Sequence, residues 1–146
     1  MKERFTLIAA TYLLLRKGNE VLLLRRFQTG YEDGKYSLVA GHIDGNETLK
    51  EAMIREAKEE AGIIVMPYDL HLVHVMHRKT DSERMDFFFV CDTWNGDIIN
   101  AEPEKCDDLR WFDVSHLPKN TIPYVKKAID ASISGDLYSE VGWPSS

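Results

Sequence analysis

Apolar residues in the first third of the chain form short runs separated by residues that favour turns. Phe5–Arg16 is a long, mostly apolar run, the dipeptide Gly18-Asn19 is a hairpin signal, and Val21–Arg26 is a second run. The stretch 28–35 is polar and holds two glycines, which is typical of a loop, and Tyr36–Ala40 is a further short run. The pattern predicts two strands joined by a tight turn, then a loop and a third strand.

A helical pattern follows these strands. Gly41 and Gly45 interrupt the apolar run, and Thr48 is suited to cap the first turn of a helix. The helix is predicted to run to about Ala61, with Gly62 as its stop.

The rest of the chain repeats the alternation of strands and a helix. Strands are predicted at His71–Arg78, Met85–Thr93 and Leu109–Asp113, and Pro123 opens a second helix that runs to about Ser132. The tail Gly135–Ser146 is predicted to be irregular. The order β-β-β-α-β-β-β-α predicts a mixed α/β sandwich, formed as one domain by the whole chain of 146 residues.

Composition narrows the classes of function. Acidic residues number 24 against 18 basic ones, a net charge of −6, and no dense basic stripe is visible. A protein that binds the phosphate backbone of nucleic acid usually has the opposite balance, so we expect no nucleic-acid partner. The acidity would also repel a phosphate-bearing substrate unless a divalent cation stands between the two.

The sequence also predicts a compartment. Lys2 and Arg4 precede an apolar run, but no small-residue cleavage site follows, so a first strand is expected rather than a secretory signal. No run reaches the length of a membrane span. Cys91 and Cys106 lack metal-ligand spacing and imply no disulfide framework. We therefore predict a cytoplasmic protein without a membrane partner.

Three glutamates share one face of the first predicted helix. With about 100° per residue, Glu56, Glu59 and Glu60 fall in the same arc as Leu49 and Met53. Carboxylates on a face that is expected to be buried are costly and repel one another, and a divalent cation would relieve both effects. The alternative is a solvated helix laced with charges, and the helix alone leaves both interpretations open.

A longer motif includes this helix. Gly41, Glu47 and the run Arg55–Ile63 are spaced as Gx5Ex7REUxEExGU, where U is a bulky apolar residue. This pattern resembles the Nudix box, with every fixed position matched, although Ala57 is small for a U position. The resemblance implies the Nudix fold, a mixed β-sheet sandwiched between helices (α-β-α), and hydrolysis of a diphosphate linkage.

The resemblance also implies roles for individual residues. Arg55 and Glu47 are expected to form a buried ion pair that orients the loop against the helix. The general base of the family lies in the box or on a later loop, where Glu102 and Glu104 are candidates; an ordinary exposed acidic loop is the alternative. Magnesium, with manganese as a second candidate, is expected on three carboxylates and one backbone carbonyl: Glu56, Glu59, Glu60 and Gly41.

The implied reaction is hydrolysis of a nucleoside triphosphate to a monophosphate and pyrophosphate, as in MutT-like members. A metal ion would lower the pKa of bound water, and a carboxylate would take the proton. The alternatives are another nucleoside diphosphate derivative such as a nucleotide sugar, or a ligand sensor without turnover. The Pro-Gly that usually precedes the box glycine is Val39-Ala40 here, a departure that bears on the substrate.

Candidate substrate contacts lie outside the helix. Arg25 and Arg26 end the second predicted strand and could meet the nucleotide or form a surface salt bridge. Asn120 resembles a base-contacting position of MutT-like enzymes, with helix capping as the alternative, and His42 could approach a phosphate. The expected partner is a small nucleotide. A homodimer is a candidate assembly, because dimers are common in the family that the motif resembles.

Overall fold

Residues 3–144, which the computed structural model describes, form eight strands, two α-helices and one short 3₁₀ helix. In chain order they are β1 (Ile8–Lys17), β2 (Glu20–Arg26), β3 (Tyr36–Ser37), β4 (Val39–His42), α1 (Leu49–Ala61), the 3₁₀ helix (Pro67–Asp69), β5 (His71–Lys79), β6 (Glu83–Cys91), β7 (Cys106–Asp113), α2 (Pro123–Ser134) and β8 (Tyr138–Val141).

The strands form one mixed sheet with a smaller wing. The main part has the order β4-β1-β6-β5-β8, in which β1 pairs with β6 in parallel and with β4 antiparallel. In the wing, β2 pairs antiparallel with β3 and β7. The last residues of β1, Arg16 and Lys17, pair with Val21 and Glu20 of β2 and so join the two parts.

Each face of the sheet is covered by one helix, because successive side chains of a strand point to opposite faces. On β1, Leu13 and Leu15 face a core that contains Met53 of α1. Tyr12 and Leu14 face the other core, to which α2 contributes several residues. The prediction of a mixed sheet between helices is therefore confirmed, and the sheet edge at β4 lies beside α1.

Most predicted boundaries lie within two residues of the observed ones, but four predictions of extent were wrong. The single strand predicted at Tyr36–Ala40 is two strands, because β3 pairs with β2 whereas β4 pairs with β1. β1 begins at Ile8 because the preceding apolar residues are exposed and lie outside the strand pairing; Phe5 is 71% exposed. β7 begins at Cys106, before the predicted Leu109, because backbone pairing with β2 continues through a polar stretch. The tail was expected to be irregular, but Tyr138–Val141 pairs with β5 in parallel.

Neither helix of the described residues is long and apolar enough to cross a membrane.

Candidate active site

Helix α1 is fixed at both ends by local hydrogen bonds. The Thr48 hydroxyl accepts a hydrogen bond from the Glu51 N–H at 3.0 Å, and the Glu51 carboxylate accepts one from the Thr48 N–H at 3.1 Å. At the other end Gly62 has φ of 69°, a left-handed conformation that ends the helix. These caps set where the acidic residues of the helix lie relative to β4.

The three glutamates of α1 differ in exposure. The buried residues of the helix are Ala52, Met53, Ala57 and Ala61. Beside them the side chain of Glu56 is 13% exposed, whereas that of Glu59 is 50% exposed. The expectation that all three glutamates share the buried face was therefore wrong for Glu59, which lies towards solvent at the border of that face.

Gly41 packs directly against Glu56. A Cβ atom added to Gly41 would overlap the carboxyl group of Glu56, so only glycine allows β4 to come this close to the carboxylate. The sequence motif therefore has a steric reason at this position. The backbone of Gly41 and the side chain of Glu56 lie side by side.

Arg55 links the loop after β4 to α1. Its guanidinium lies 2.9 Å from a Glu47 oxygen and 2.7 Å from a Glu56 oxygen, and it donates to the His42 carbonyl at 3.3 Å. Glu47 also accepts a hydrogen bond from the Asp44 N–H at 2.8 Å. The bond from Arg55 lowers the pKa of Glu47, and Glu47 in turn raises the pKa of Arg55. The pair expected to be buried is partly buried, with Arg55 28% and Glu47 16% exposed.

The Glu60 carboxyl lies within hydrogen-bonding reach of Glu56 and of the backbone of Ala40. Burial raises the pKa of this carboxyl well above the ordinary value, and hydrogen bonding to Glu56 acts in the same direction. The backbone N–H of Ala40 donates to Glu60 and partly opposes this shift. A proton shared between Glu56 and Glu60 relieves their repulsion, and a cation could do the same.

A cleft of about 340 Å³ opens beside these carboxylates. We call it the glutamate cleft; its lining combines four carboxylates with two cationic side chains and a hydroxyl: Glu56, Glu59, Glu60, Glu102, Arg26, Lys105 and Thr29. Within residues 3–144, no three His, Cys, Asp or Glu side chains already converge as a finished metal site. The oxygen donors nevertheless fit a hard cation such as Mg²⁺. A wider groove of about 820 Å³ lies between α2 and β8, away from these glutamates.

The two candidate bases on the later loop are placed differently. Glu102 lines the glutamate cleft, and burial raises the pKa of its carboxyl. Its loop is held by Asn100, whose amide donates to the Cys106 carbonyl at 2.6 Å and whose oxygen accepts from the Glu102 N–H at 3.2 Å. Glu104 is exposed and lies outside the cleft lining.

Of the candidate substrate contacts, only some lie at the glutamate cleft. Arg25 forms a surface salt bridge with Asp107 at 2.7 Å, whereas Arg26 lines the cleft and donates to the Tyr31 carbonyl at 2.7 Å. The Asn120 amide donates to the Gly34 carbonyl at 2.8 Å, and α2 has no side-chain cap at its start. His42 is exposed beside Gly41.

Sequence reasoning missed Thr29 and Lys105, which line the glutamate cleft. Both lie on irregular segments, where no periodic pattern marks the direction of a side chain. The pairing of β2 with β7 brings their segments together, and it extends to the bond from the Phe27 N–H to the Lys105 carbonyl at 2.9 Å.

A mixed sheet between two helices, with a glutamate-bearing helix beside a cleft at the edge of the sheet, defines the class of Nudix-fold proteins. The model of the NUDIX domain family matches residues 6–131, so the chain belongs to this family. The family prediction is thereby confirmed, and with it the prediction of a Nudix hydrolase at the level of the family.

Known relatives are similar over most of this chain. The ADP-ribose pyrophosphatase of Methanocaldococcus jannaschii is 28% identical over 114 residues, which cover 77% of this chain and 66% of that protein. The NAD-capped RNA hydrolase NudC of Chromobacterium violaceum is 32% identical over 115 residues, 78% of this chain and 41% of that protein. The chain thus spans two thirds or less of the length of these curated relatives.

Solved structures confirm the fold. The crystal structure of a MutT NUDIX hydrolase from Burkholderia pseudomallei superposes with a TM-score of 0.80 at 21% identity, over 87% of this chain and 98% of that one. A MutT protein from Methanosarcina mazei has a TM-score of 0.77 at 20% identity, over 91% of this chain and 97% of that one. At these identities the likeness concerns the fold alone.

Proposed function

We propose that this protein is a metal-dependent pyrophosphohydrolase that cleaves a nucleoside triphosphate to a nucleoside monophosphate and pyrophosphate. The observation that supports this proposal is the glutamate cleft. Carboxylates of α1 and of the later loop line the same space as the cationic side chains of Arg26 and Lys105. Such a cleft provides oxygen ligands for a cation and positive charge for a phosphate group.

Mg²⁺, or Mn²⁺ in its place, would be held by Glu56, Glu59 and Glu60 together with the carbonyl of Gly41. When bound, the ion would offset the charge of the phosphate oxygens and lower the pKa of a water molecule. The donor set fits because all of these ligands are oxygen atoms, which magnesium prefers.

The protein's own residues position and deprotonate the reactants in this proposal. Arg55 forms ion pairs with both Glu56 and Glu47, so it fixes the position of the Glu56 carboxylate relative to the loop that carries Glu47. Arg26 and Lys105 offset negative charge on the substrate. Glu102 is proposed as the general base in preference to Glu104, because it lies in the cleft and burial raises the pKa of its carboxyl towards neutrality.

One relative supports a second candidate substrate, a different nucleoside diphosphate derivative. The M. jannaschii relative is named an ADP-ribose pyrophosphatase, and its similarity covers 77% of this chain. A sensor without turnover is disfavoured, because Glu56, Glu59 and Glu60 are all retained beside the cleft. The relative from C. violaceum is named for capped RNA. The net charge of −6 favours a small nucleotide over RNA here.

The first experiment is a phosphate-release screen with and without Mg²⁺. Nucleoside triphosphates are assayed with added pyrophosphatase, which splits the pyrophosphate product. ADP-ribose and nucleotide sugars are assayed with added alkaline phosphatase, which frees phosphate from the monoester products but not from the intact substrates. We expect turnover that requires the metal and is confined to triphosphates. Turnover confined to ADP-ribose or nucleotide sugars would replace the triphosphate proposal by the second candidate. A folded protein that turns over none of these substrates with Mg²⁺ present would favour a diphosphate substrate outside the screen or the sensor.

A cytoplasmic location and a homodimer remain predictions from the sequence and the family. Size-exclusion chromatography with light scattering would test the dimer directly.

A further inference from the structure

A second pocket adjoins the glutamate cleft on the side of the sheet that α2 covers. It has a volume of about 240 Å³ and shares Arg26 and Ala40 with the glutamate cleft. We call it the arginine pocket, because the other residues that line it include Arg78, Arg84, His42, Tyr12 and Tyr124. A substrate that reaches past Ala40 from the glutamate cleft would enter it.

Two arginines stand directly opposite each other on neighbouring strands of this pocket. Arg78 of β5 and Arg84 of β6 are cross-strand partners, and two like charges in this position destabilise a sheet unless each is compensated. Arg78 is compensated: it is 3% exposed, lies 2.7 Å from the fully buried Asp86, and its guanidinium stands 3.7 Å from the ring centre of Tyr124.

Arg84 has no such compensation. Among residues 3–144 it forms no ion pair, and its Nε atom is buried without a hydrogen-bond partner. Within the described residues, the one hydrogen bond of its guanidinium runs 3.3 Å from Nη1 to Nε2 of His42, which accepts the bond because arginine can only donate. A buried donor without a partner is costly, so the guanidinium has unused capacity for an anion.

The position of Arg84 indicates which anion. His42 directly follows Gly41, and Gly41 packs against the Glu56 carboxyl. The unpaired guanidinium therefore lies across the edge strand β4 from Glu56, where a substrate that spans the two adjoining pockets could present a phosphoryl group to it. Arginine matches phosphate oxygens well because its donors form a planar fork.

We propose that Arg84, supported by His42, binds a phosphoryl group of the substrate and makes the arginine pocket a phosphate subsite. The inference rests on the proposed function, because that function places the substrate in the glutamate cleft, from which it would reach the arginine pocket. It adds a specific phosphate contact that lies outside the box and on the opposite face of the sheet from α1.

The test measures binding of inorganic triphosphate, which carries no base, by titration calorimetry with Ca²⁺ in place of Mg²⁺. Loss of a hydrogen bond to a charged group predicts a roughly 10- to 100-fold higher Kd for Arg84→Met. Arg84→Lys should recover part of the affinity, since it keeps the charge but loses the fork. Arg16→Met is the matched control, because Arg16 lies on β1 outside both pockets and its loss changes the net charge equally.

Turnover of nucleoside triphosphates is measured on the same variants. We expect kcat/KM to fall for Arg84→Met while the Mg²⁺ concentration for half-maximal rate stays unchanged, because Arg84 contacts none of the three glutamates. A merely structural role would instead lower the melting temperature and change the metal dependence as well.

The outcomes separate this inference from the proposed function. Arg84-dependent binding of triphosphate without any turnover would overturn the proposed function and leave the inference standing. Unchanged Kd and kcat/KM in Arg84→Met, an equal loss in Arg16→Met, or a wild-type protein that does not bind triphosphate would each overturn the inference.

Discussion

At the scale of single residues, Glu60 is the side chain on which the proposed chemistry depends most. Glu60→Gln keeps the size of the side chain and an oxygen that can accept from the Ala40 N–H, but it removes the charge that a metal ion needs. We expect the fold to persist and turnover to fall by more than the roughly 10–100-fold typical of changes behind a metal ligand. Steady-state assays with Mg²⁺ and circular dichroism would measure both effects.

Glu104→Gln is the matched control for this substitution. Glu104 is exposed and lies outside the glutamate cleft, so its loss should leave the rate close to that of the wild type. Full activity in Glu60→Gln would remove Glu60 from the metal site.

Asn120 gives a second prediction at this scale. Its amide donates to Gly34, so it holds the loop that carries Tyr31 and Thr29 beside both pockets. We expect Asn120→Ala to raise KM by a similar factor for every base, because the loop loosens. A rise in KM confined to purine substrates would instead favour the base contact proposed from the sequence. Measuring KM across the four common nucleoside triphosphates decides between the two.

The sequence predicts site residues that lie on one helix better than those whose role depends on a neighbouring strand. Glu56, Glu59, Glu60 and Arg55 lie on one helix, whose period fixes their relative directions before any tertiary contact is known. Arg84 lies on a strand, and its importance comes from its neighbours: it is paired across the sheet with an arginine whose charge Asp86 has already neutralised. Such a difference in compensation depends on strand register, which the hydrophobic pattern does not determine at polar positions.

At the scale of elements, the capping box of α1 provides a test that is independent of activity. Thr48→Ala removes the side-chain acceptor of the Glu51 N–H. We expect the free energy of unfolding to fall by about 1 kcal/mol. For a domain near this size, that loss lowers the melting temperature by roughly 2–4 °C. Thr48 lies outside the glutamate cleft, so kcat should change little. Differential scanning calorimetry measures the shift.

Thr93→Ala is the control for α1 capping, since Thr93 is exposed and lies outside the helices and strands. Equal melting temperatures for Thr48→Ala and the wild type would show that the cap contributes nothing measurable.

The same caps explain why α1 was predicted to its last residue whereas β8 was missed. A helix carries signals for its start and stop in side chains such as Thr48 and in the glycine that follows it. β8 is held by backbone pairing to β5, and two of its four side chains are exposed. Its sequence therefore lacks the alternation of apolar residues from which a strand is predicted. The early start of β7 has the same cause, because Cys106 and Asp108 pair with Arg26 and Arg25 of β2 through the backbone in a polar stretch.

At the scale of the whole molecule, the stability of the fold depends on pH and on metal binding through the same carboxyl groups. In the folded protein the pKa of Glu60 lies well above its ordinary value near 4.5, and burial raises the pKa of Glu102 as well. The folded state therefore binds more protons than the unfolded state between that ordinary value and the raised pKa values. Stability falls as pH rises through such a window.

A bound cation should reverse this trend. Mg²⁺ binds ionised carboxylates, so its binding competes with protons and strengthens as pH rises. Because a ligand that binds the folded state stabilises it, the gain in melting temperature from saturating Mg²⁺ should increase between about pH 5 and about pH 8. Thermal melts with Mg²⁺ or with EDTA across this range measure that gain directly.

Glu60→Gln isolates the contribution of one carboxyl to this linkage. Without metal, the variant should lose less stability than the wild type as pH rises, because the Glu60 carboxyl, whose pKa is raised in the folded protein, is no longer there to ionise. With Mg²⁺, the gain in its melting temperature should be small at every pH. Groups that do not contact Glu60, such as Glu47 with its lowered pKa, change stability equally in both proteins and cancel in the comparison. If wild type and variant gained equally from Mg²⁺ at high pH, the metal would be bound away from Glu60, and the cleft would have to be assigned a different role.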